Sequence, residues 1–546
     1  MALHVPKAPG FSQMLKEGAR HFSGLEEAVF RNIAACKEFV NTIKTAYGPY
    51  GMNKIIINHI DKLFVTNDAA TIVKELEIEH PAAKVLVLSS NMQEEEVGDG
   101  TNFVLILAGT LLEEALPLLK MGMTPADIIE GYELALNKAL EVLKTLTCDE
   151  IKDPRDEAAV LKAVRSSVMS KQFGYEDFLG NLITKACISI LPEETTFNVD
   201  NVRIQKISGS SILSSETVLG MVFKRGVEGE ITKMTGAKVV VYTCPFDIAT
   251  TETKGTVLIK TAAELHSFSS GEESQLESQI AAIKDAGANV VVAGGKISDI
   301  ALHFLNKAGL MAVRLQSKFD IRRLCKVTGA VPLPILTPPS KEELGYADSV
   351  YIDEIGENSI VVFKLEGKES RISTIIVRGA TENYMDDIER AIDDGVNTFK
   401  LVTRDGRMVP GGGAVEAELA KQVRDYSETI PGLERYAAAK FAHSLTVFPK
   451  ILAESSGLQA RSALQQLYEG HRTSEGANLG INIQGEDNKL VIDCHEAGIL
   501  DCLSLKEWGL KFATMAACTV LRIDQIIMAK RAGGPAAKPP AQPDDD

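Results

Sequence analysis

The 546-residue sequence lacks the signals of a secreted or membrane-spanning protein. It does not open with a positively charged segment followed by an apolar run, and the apolar stretch from Phe103 to Leu112 is too short to cross a bilayer before Glu113 interrupts it. Its eight cysteines are scattered without a Cys-x-x-Cys pair, and it has no Asn-x-Ser/Thr glycosylation site. We therefore expect a soluble, cytoplasmic protein whose cysteines are reduced.

A surplus of positive charge is missing as well. The formal net charge is −16, whereas nucleic acid or an anionic membrane surface would select a basic face. We therefore expect no nucleic-acid partner and no membrane insertion. The length, with 45% apolar and 24% charged residues, predicts two to four compact units, and it leaves acidic enzymes and acidic folding machines equally open.

The common nucleotide-binding fingerprints are also absent, so a kinase or a dehydrogenase has no sequence support. Residues 48–54 lack the Walker spacing, and no Gly-x-Gly-x-x-Gly follows a strand. One glycine turn, Gly98-Asp99-Gly100-Thr101, nevertheless lies just before the apolar stretch that begins at Phe103. Such a junction exposes backbone N–H groups to an anion, and Asp99 could hold Mg²⁺ beside a phosphate, but an ordinary turn can contain the same residues.

The sequence changes character along its length. A capping box at residues 23–26 starts a long helical pattern that ends at Gly48-Pro49. In the middle, β-rich runs alternate with helical stretches and predict a small α/β domain; the runs cover residues 238–246, 289–294 and 311–315. A second glycine-to-helix junction follows at Gly411-Gly412-Gly413.

Two further segments are expected to project from these units. The polar insert 250–278, with a second capping box at residues 261–264, predicts a projecting helical segment or a mobile loop. After Lys530 the chain is dominated by Ala, Gly, Pro and Asp, which are too poor in large apolar groups to pack. We expect a disordered tail there.

Two helical patterns leave polar residues off their apolar stripes. In residues 385–399 both Asp393 and Asp394 fall off the stripe, so periodicity alone predicts solvated acids. In residues 297–307 one stripe predicts core packing, and its members are Ile297, Ile300, Ala301, Phe304 and Leu305. The opposite face, which would be free to meet a partner, carries Asp299, Leu302, His303 and Asn306.

Five short segments, in order and spread over about 450 residues, resemble the group II chaperonins. They are Tyr47-Gly48-Pro49-Tyr50-Gly51-Met52, Thr66-Asn67-Asp68-Ala69-Ala70-Thr71, Gly98-Asp99-Gly100-Thr101, Val409-Pro410-Gly411-Gly412-Gly413 and Glu496-Ala497-Gly498-Ile499-Leu500-Asp501. The resemblance covers essentially the whole chain, and five segments in register are far more specific than any one of them. The amino-acid sequence at residues 67–70, 100–102 and 252–255 is most similar to that of one subunit type of the eukaryotic cytosolic chaperonin.

The resemblance implies a multidomain α/β chaperonin fold. This fold has a mainly helical equatorial domain made from both chain ends, a small intermediate domain in two segments, and an α/β apical domain with a helical protrusion. The implied boundaries are 1–147 and 405–530 for the equatorial domain, 148–216 and 371–404 for the intermediate domain, 217–370 for the apical domain with a lid-like insert at about 250–278, and 531–546 for the tail.

The resemblance also implies an ATP site. The residues that would contact the nucleotide are Tyr47, Gly48, Pro49, Gly98, Gly100, Thr101, Asn102, Lys171, Gly412 and Asp501. Asp99 would bind Mg²⁺, and K⁺ is a further candidate cofactor. Asp68 and Asp394 would orient the attacking water. Lys171 would sense the γ-phosphate, although its residue type alone is equally typical of a solvated surface lysine.

The same resemblance implies an ATP-hydrolysing subunit of a double ring with eight paralogous subunits per ring. Lid closure would fold clients such as actin and tubulin, prefoldin is a further implied partner, and we expect Leu302, His303 and Asn306 to contact unfolded clients. The sequence departs from the family pattern at Tyr47, Tyr50, Ala69, Asn102 and Gly395.

These departures keep a second interpretation open. Because Tyr50 removes a positive charge near phosphate, a structural ring subunit with weak or no hydrolysis is the alternative. A solitary metabolic ATPase fits less well, since no separate small-molecule chemistry is visible.

Overall fold

The computed structural model describes residues 20–22, 25–192, 197–247, 261–356, 358–365, 372–484 and 489–528. Its buried apolar side chains form clusters that divide the chain into three units. The terminal unit draws its core from both chain ends, residues 29–143 and 409–521. The connecting unit uses residues 160–212 and 375–399, and the inserted unit uses residues 221–372. This nesting agrees with the predicted multidomain α/β fold, whereas the domain boundaries stay predictions.

The terminal unit is a bundle of helices around α4 (Thr101–Lys120). The other helices of this bundle are α1 (Leu25–Lys44), α2 (Ala69–Glu75), α3 (Pro81–Glu96), α5 (Pro125–Thr145), α12 (Ala414–Thr429), α13 (Glu434–Leu445), α14 (Val447–Ser455), α15 (Ala460–Gly470) and α16 (Leu503–Leu521). By length and composition α4 could cross a membrane, but every residue from Phe103 to Leu112 is buried, and the helix packs against α1, α13 and α16. It is therefore the core helix of this unit.

Short strands join distant parts of the terminal unit. β1 (Arg20–Phe22) pairs antiparallel with β18 (Ile526–Met528). β2 (Lys54–Ile57) and β3 (Leu63–Thr66) form a hairpin that ends just before Asp68. The remaining strands are β4 (Asp149–Glu150), β14 (Arg407–Pro410) and β17 (Leu500–Cys502) in one antiparallel sheet, and the pair β15 (Leu479–Ile481) and β16 (Val491–Asp493).

The connecting unit packs three helices against two parallel strands. The helices are α6 (Glu157–Met169), α7 (Glu176–Ser189) and α11 (Glu382–Arg404), and the strands are β5 (Val202–Ser208) and β13 (Ser373–Gly379). Helix α11 contacts α6 and α7 on one side, and it also contacts β3 and β17 of the terminal unit. It is therefore covered by two units.

The inserted unit continues the sheet of the connecting unit. Its strands are β6 (Glu216–Phe223), β7 (Lys233–Tyr242), β8 (Val290–Ala293), β9 (Met311–Arg314), β10 (Pro332–Leu333), β11 (Gly345–Ile355) and β12 (Asn358–Lys364). The strand order is β5-β13-β6-β12-β11-β7-β8-β9, with β10 beside β7. The parallel strands β7, β8 and β9 confirm the three predicted β-rich runs, and β8 is buried throughout, as parallel strands between helices are.

Within its described residues the inserted unit has three helices: α8 (Ala262–Asp285), α9 (Asp299–Ala308) and α10 (Lys318–Thr328). From Ala262 onward the polar insert is the first part of α8, so its predicted helical character is confirmed there. Residues 250–260 of the insert, the tail 531–546 and the start of the first capping box lie outside the described residues.

The face of α9 predicted to meet a partner is only partly free. His303 is exposed, but Leu302 packs partly against the core, and the side-chain oxygen of Asn306 accepts a hydrogen bond from the backbone N–H of Glu230 at 3.2 Å. Ile300, expected in the core-facing stripe, is 39% exposed. Client contact at this face stays a prediction.

Phe399 tests the core of the connecting unit, where it is fully buried and meets Phe197 edge to face at 4.8 Å between ring centres. Phe399→Ala should lower the free energy of unfolding by about 3–5 kcal/mol, because it leaves a cavity. Phe319→Ala is the control, since this ring is 72% exposed, and should change that free energy by less than about 0.5 kcal/mol. Urea unfolding of the purified chain measures both, and equal effects would contradict this core.

Candidate functional site

A cleft opens where the connecting unit meets the terminal unit. It encloses about 1060 Å³ of empty space, part of it open to solvent. Of the predicted nucleotide, metal and catalytic residues, those that line it are Tyr47, Gly48, Pro49, Asp68, Asp99, Gly100, Thr101, Asn102, Lys171, Gly412 and Asp501. Asp394 contacts Lys171 behind this lining, and Gly98 directly precedes Asp99. The fold thus brings residues from both chain ends and from the connecting unit to one place.

Two helices begin at this cleft without a side-chain cap. The N-cap of α4 is Gly100, whose φ of +81° lies in the left-handed region that favours glycine, and no described side chain caps the helix. Helix α12 begins in the same way at Gly413, with a φ of +84°. The N–H groups in the first turn of α4 and the positive ends of both helix dipoles are therefore available to an anion, whereas in α12 the N–H of Ala414 already donates to the carbonyl oxygen of Gly411 at 3.1 Å.

Gly98 allows the connecting unit to approach the first of these junctions. Its φ is +83°, and a Cβ at this position would lie 2.2 Å from Cγ of Asn397 on α11. The side-chain amide of Asn397 donates a hydrogen bond to the carbonyl oxygen of Gly98 at 3.4 Å. Only glycine fits between the loop and the helix, so this position fixes how closely the two units meet.

Asp99 presents a buried carboxylate beside the free N–H groups of α4. The backbone N–H of Gly100 donates to its Oδ1 at 2.6 Å, and the hydroxyl of Ser167 donates to its Oδ2 at 2.9 Å. Burial raises the pKa of Asp99 above its usual range, although Lys171 and both hydrogen bonds oppose the shift. Mg²⁺ binds proteins through one or two carboxylates together with substrate phosphates, so the residues present fit this ion.

Lys171 lies between the two predicted catalytic acids. Its Nζ is 3.2 Å from Oδ1 of Asp68 and 2.5 Å from Oδ2 of Asp394. Asp68 also caps α2 by accepting hydrogen bonds from the backbone N–H of Thr71 at 3.0 Å and from its hydroxyl at 2.7 Å. The two acids therefore come from different units and share one cation.

The two acids differ in proton affinity. Burial raises the pKa of Asp394 well above its usual range, although Lys171 opposes the shift. Burial acts on Asp68 in the same direction, but Lys171 and the hydrogen bonds from Thr71 outweigh it, and the pKa of Asp68 is lowered. For Lys171, burial is outweighed by Asp394, Asp68 and Asp99, which raise its pKa. Asp68 therefore stays ionised, whereas Asp394 holds a proton more readily.

Asn102 and Tyr47 line the cleft but are engaged within the protein. The side-chain oxygen of Asn102 accepts from the backbone N–H of Ala69 at 2.9 Å, and its amide donates to the carbonyl oxygen of Ala46 at 3.2 Å. The Tyr47 ring packs against Phe448 at 5.5 Å between centres. Both side chains therefore hold neighbouring loops together at the edge of the cleft.

Sequence reasoning missed Lys506, which lines the cleft from α16. Its Nζ is 2.6 Å from Oε1 of Glu416 and 3.0 Å from Oδ2 of Asp501, and it lies 5.0 Å from the ring centre of Phe103. The available signal was a glutamate in the apolar sequence Gly413-Ala414-Val415-Glu416-Ala417, which follows the second glycine junction. A buried acid there requires a cation.

The prediction of two solvated acids on α11 is wrong for Asp394. Asp393 is exposed, whereas Asp394 is 6% exposed. The reason is that α6 and α7 pack on one side of α11 while strands of the terminal unit cover another, so burial extends beyond the apolar stripe. The surface-lysine alternative for Lys171 is also wrong, because its side chain is only 9% exposed and lies between Asp68 and Asp394.

Comparisons with known proteins agree with this architecture. Residues 39–531 match the family model of the TCP-1/cpn60 chaperonin family. T-complex protein 1 subunit theta of Homo sapiens is 60% identical over 541 residues, which are 99% of this chain and 98% of that protein. The protein of the same name in Gallus gallus is 59% identical over 541 residues with the same coverage, and that of Caenorhabditis elegans is 50% identical over 548 residues, covering 100% and 99%. These relatives confirm the resemblance to the group II chaperonins. All three are theta subunits, the subunit type that residues 67–70, 100–102 and 252–255 resemble.

Lys506→Met should lower the free energy of unfolding by about 3–5 kcal/mol, because Glu416 and Asp501 lose their buried cation. Lys511→Met is the control on the same helix: Lys511 pairs with Glu507 at a partly exposed site, and its loss should cost less than about 1 kcal/mol. Adding Glu416→Gln to Lys506→Met should restore part of the loss. Urea unfolding measures all three, and a single variant as stable as the control would contradict this role of Lys506.

Proposed function

This chain belongs to the TCP-1/cpn60 chaperonin family, and we propose that it binds and hydrolyses ATP in the cleft between its terminal and connecting units. As a chaperonin subunit it assists the folding of other proteins. The observation that carries the proposal is the convergence of Asp68, Asp99, Asp394 and Lys171 beside two helices that begin without side-chain caps. This set supplies groups for phosphate binding, metal binding and the orientation of water.

The phosphates would lie against the start of α4. Gly100 and Thr101 line the cleft there, and the backbone N–H groups of the first turn from Thr101 onward would donate to phosphate; Gly48 and Pro49 also line the cleft. The nucleoside would lie against Gly412 and Asp501, next to an apolar part of the lining. The residues of that apolar part are Leu452, Ile481, Ile483 and Ile499.

Hydrolysis would depend on positioning. Mg²⁺ held by Asp99, when bound, would neutralise charge that develops on the phosphate oxygens. Asp68, which stays ionised, would accept a hydrogen bond from the attacking water and orient it toward the γ-phosphate. Asp394, in the connecting unit, would contact the same water from the other side. Lys171 spans both acids, so the arrival or loss of an anionic γ-phosphate would change its contacts.

A subunit with weak hydrolysis is the second candidate, and one observation favours it. The Nζ of Lys171 already pairs with both Asp68 and Asp394. A γ-phosphate would have to compete with these two carboxylates for the cation. The balance of that competition sets how fast this subunit turns over, while the residues needed for hydrolysis remain in place.

We propose further that the chain acts within a cytosolic hetero-oligomeric double ring of eight subunits per ring. The names of its relatives support the role of a subunit. Nucleotide hydrolysis would close a lid to which the insert 250–278 contributes. Unfolded clients of the actin and tubulin class would contact α9 around His303, which is exposed, and prefoldin would deliver them.

Asp394→Ala should separate nucleotide binding from hydrolysis. It removes one water-orienting carboxylate and leaves Gly48, Gly100, Thr101 and Asp99 in place, so ATP should still bind. Hydrolysis at this subunit should fall by roughly 10² or more, because in-line attack depends on positioning. Radiolabelled nucleotide trapped at this subunit in the assembled ring measures both steps. Hydrolysis at the parental rate would remove Asp394 from the mechanism and favour a structural role.

Asp99→Ala is the matched comparison for the metal ligand. It removes the carboxylate that fits Mg²⁺, so phosphate charge is less neutralised, and binding and hydrolysis should weaken together. Nucleotide affinity and hydrolysis, measured with the same labelled nucleotide at several Mg²⁺ concentrations, test this prediction. Unchanged binding with lost hydrolysis would instead make Asp99 a water-orienting residue.

The native mass of the protein tests the assembly. Sedimentation of the protein purified from its source should give a large complex that contains paralogous subunits in equal amounts. The expected stoichiometry is sixteen chains in two rings of eight. A stable, lone monomer with full ATPase activity would contradict the proposed assembly.

A further inference from the structure

Asp387 is outside the predicted site, yet it contacts both units that form the cleft. It lies on α11 seven residues before Asp394, which places both acids on the same face of the helix, two turns apart. Its residue exposure is 7%. Neither Asp387 nor Gln172 lines the cleft itself.

The carboxylate of Asp387 accepts hydrogen bonds from two different units. The side-chain amide of Gln172, in the connecting unit, donates to its Oδ2 at 3.1 Å. The hydroxyl of Thr66, at the end of β3 in the terminal unit, donates to its Oδ1 at 3.3 Å. Arg390, one turn further along α11, lies 3.5 Å from the same Oδ1.

Both donors are next to residues of the proposed hydrolytic site. Gln172 directly follows Lys171. The Thr66 hydroxyl also accepts a hydrogen bond from the backbone N–H of Asp68 at 3.1 Å. One carboxylate therefore fixes the loop that carries Lys171 and the turn that carries Asp68.

The next residue of the loop adds a contact between the same two units. The ring of Phe173 packs against Tyr50 with 5.0 Å between ring centres. Residues 171, 172 and 173 thus make successive contacts, through an ion pair, a hydrogen bond and an aromatic pair. The loop is therefore fixed along its length, and Asp387 supplies its buried polar anchor.

We propose that Asp387 is a positioning residue for ATP hydrolysis, which holds Asp68 and Lys171 in place relative to Asp394 without contacting the nucleotide. This inference rests on the proposed function. Reactions of this kind lose rate steeply when the groups that orient the water move by a fraction of an ångström to an ångström. Binding of the nucleotide uses other residues, so it should not depend on Asp387.

Asp387→Asn tests the proposal. An asparagine keeps one acceptor oxygen for Thr66, but it turns an amide N–H₂ toward Gln172, whose own amide must turn over to accept from it, and it removes the carboxylate charge that faces Arg390. We expect hydrolysis at this subunit to fall roughly tenfold or more while its nucleotide affinity stays within about twofold. Labelled nucleotide trapped at this subunit in the assembled ring measures both quantities.

Asp386→Asn is the matched control, because Asp386 is the neighbouring residue on α11 and pairs with Lys206 within the connecting unit. It should leave hydrolysis unchanged. Thr66→Val provides a second test of nearly the same shape, and it should slow hydrolysis as Asp387→Asn does. Because Thr66→Val leaves Asp387 unchanged, its hydrolysis rate can still test the proposal if the Asp387→Asn subunit does not assemble into the ring.

A reversal of hydrogen-bond polarity separates positioning from general structural loss. In the double variant Asp387→Asn with Gln172→Glu, the asparagine can accept from Thr66 and donate to the new carboxylate. We expect most of the lost rate to return. The proposal is overturned if Asp387→Asn hydrolyses at the parental rate, or if the double variant assembles but recovers nothing. Failure of the proposed function is distinguishable, because the parental subunit itself would then not hydrolyse ATP, and that result would overturn both.

Discussion

A buried lysine between two carboxylates from different units is the contact on which the cleft depends. Lys171 and Asp394 belong to the connecting unit, whereas Asp68 belongs to the terminal unit. Because all three side chains are nearly removed from water, loss of Lys171 would leave two carboxylates without a cation in a low-dielectric place. The relative position of the two units is therefore fixed by this triad, and the Asp387 network and the Phe173 contact keep its members in place.

The protein contains a second buried lysine between two acids, which differs from Lys171 because its partners belong to a single unit. Lys506 joins Glu416 and Asp501 within the terminal unit. A buried ion pair is weak evidence for stability, since apolar residues of similar volume can serve as well. The Lys506 cluster holds one unit in shape. The Lys171 cluster instead joins two units and lies beside two helix starts without side-chain caps. An anionic ligand bound there could replace one of the carboxylates that pair with Lys171.

Local signals predicted the parts of the site that depend on local conformation. The junctions around Gly100 and Gly413 could be predicted because a left-handed residue before a helix start requires glycine whatever surrounds it. The parallel strands β7, β8 and β9 were predicted from short apolar runs for a similar reason. The nucleotide roles themselves came from a resemblance over the whole chain.

Burial on α11 could not be predicted in this way. Periodicity assumes that a helix buries one stripe, but α11 is covered by α6 and α7 and also by strands of the terminal unit. Asp387 and Asp394 are therefore buried although both lie off the apolar pattern. Residue type alone left the burial of Lys171 open, because its partners Asp68 and Asp394 are distant in the sequence, and Lys506 was missed because its buried partner Glu416 is equally remote from it along the chain.

The departures from the family pattern act on packing around the acids and leave the acids in place. Tyr50 places its ring against Phe173, and Asn102 ties the backbone at Ala46 to that at Ala69. Gly395 lets α7 approach α11 next to Asp394, because a Cβ there would lie 2.7 Å from Cδ1 of Ile183. The loss of a positive charge at Tyr50 is therefore only part of its effect. Of these contacts only the one between Tyr50 and Phe173 joins the connecting and terminal units, whereas Asn102 acts within the terminal unit and Gly395 within the connecting unit. Because the acids stay in place, a slow nucleotide cycle in this subunit would not require a chemical group to be missing from the proposed site.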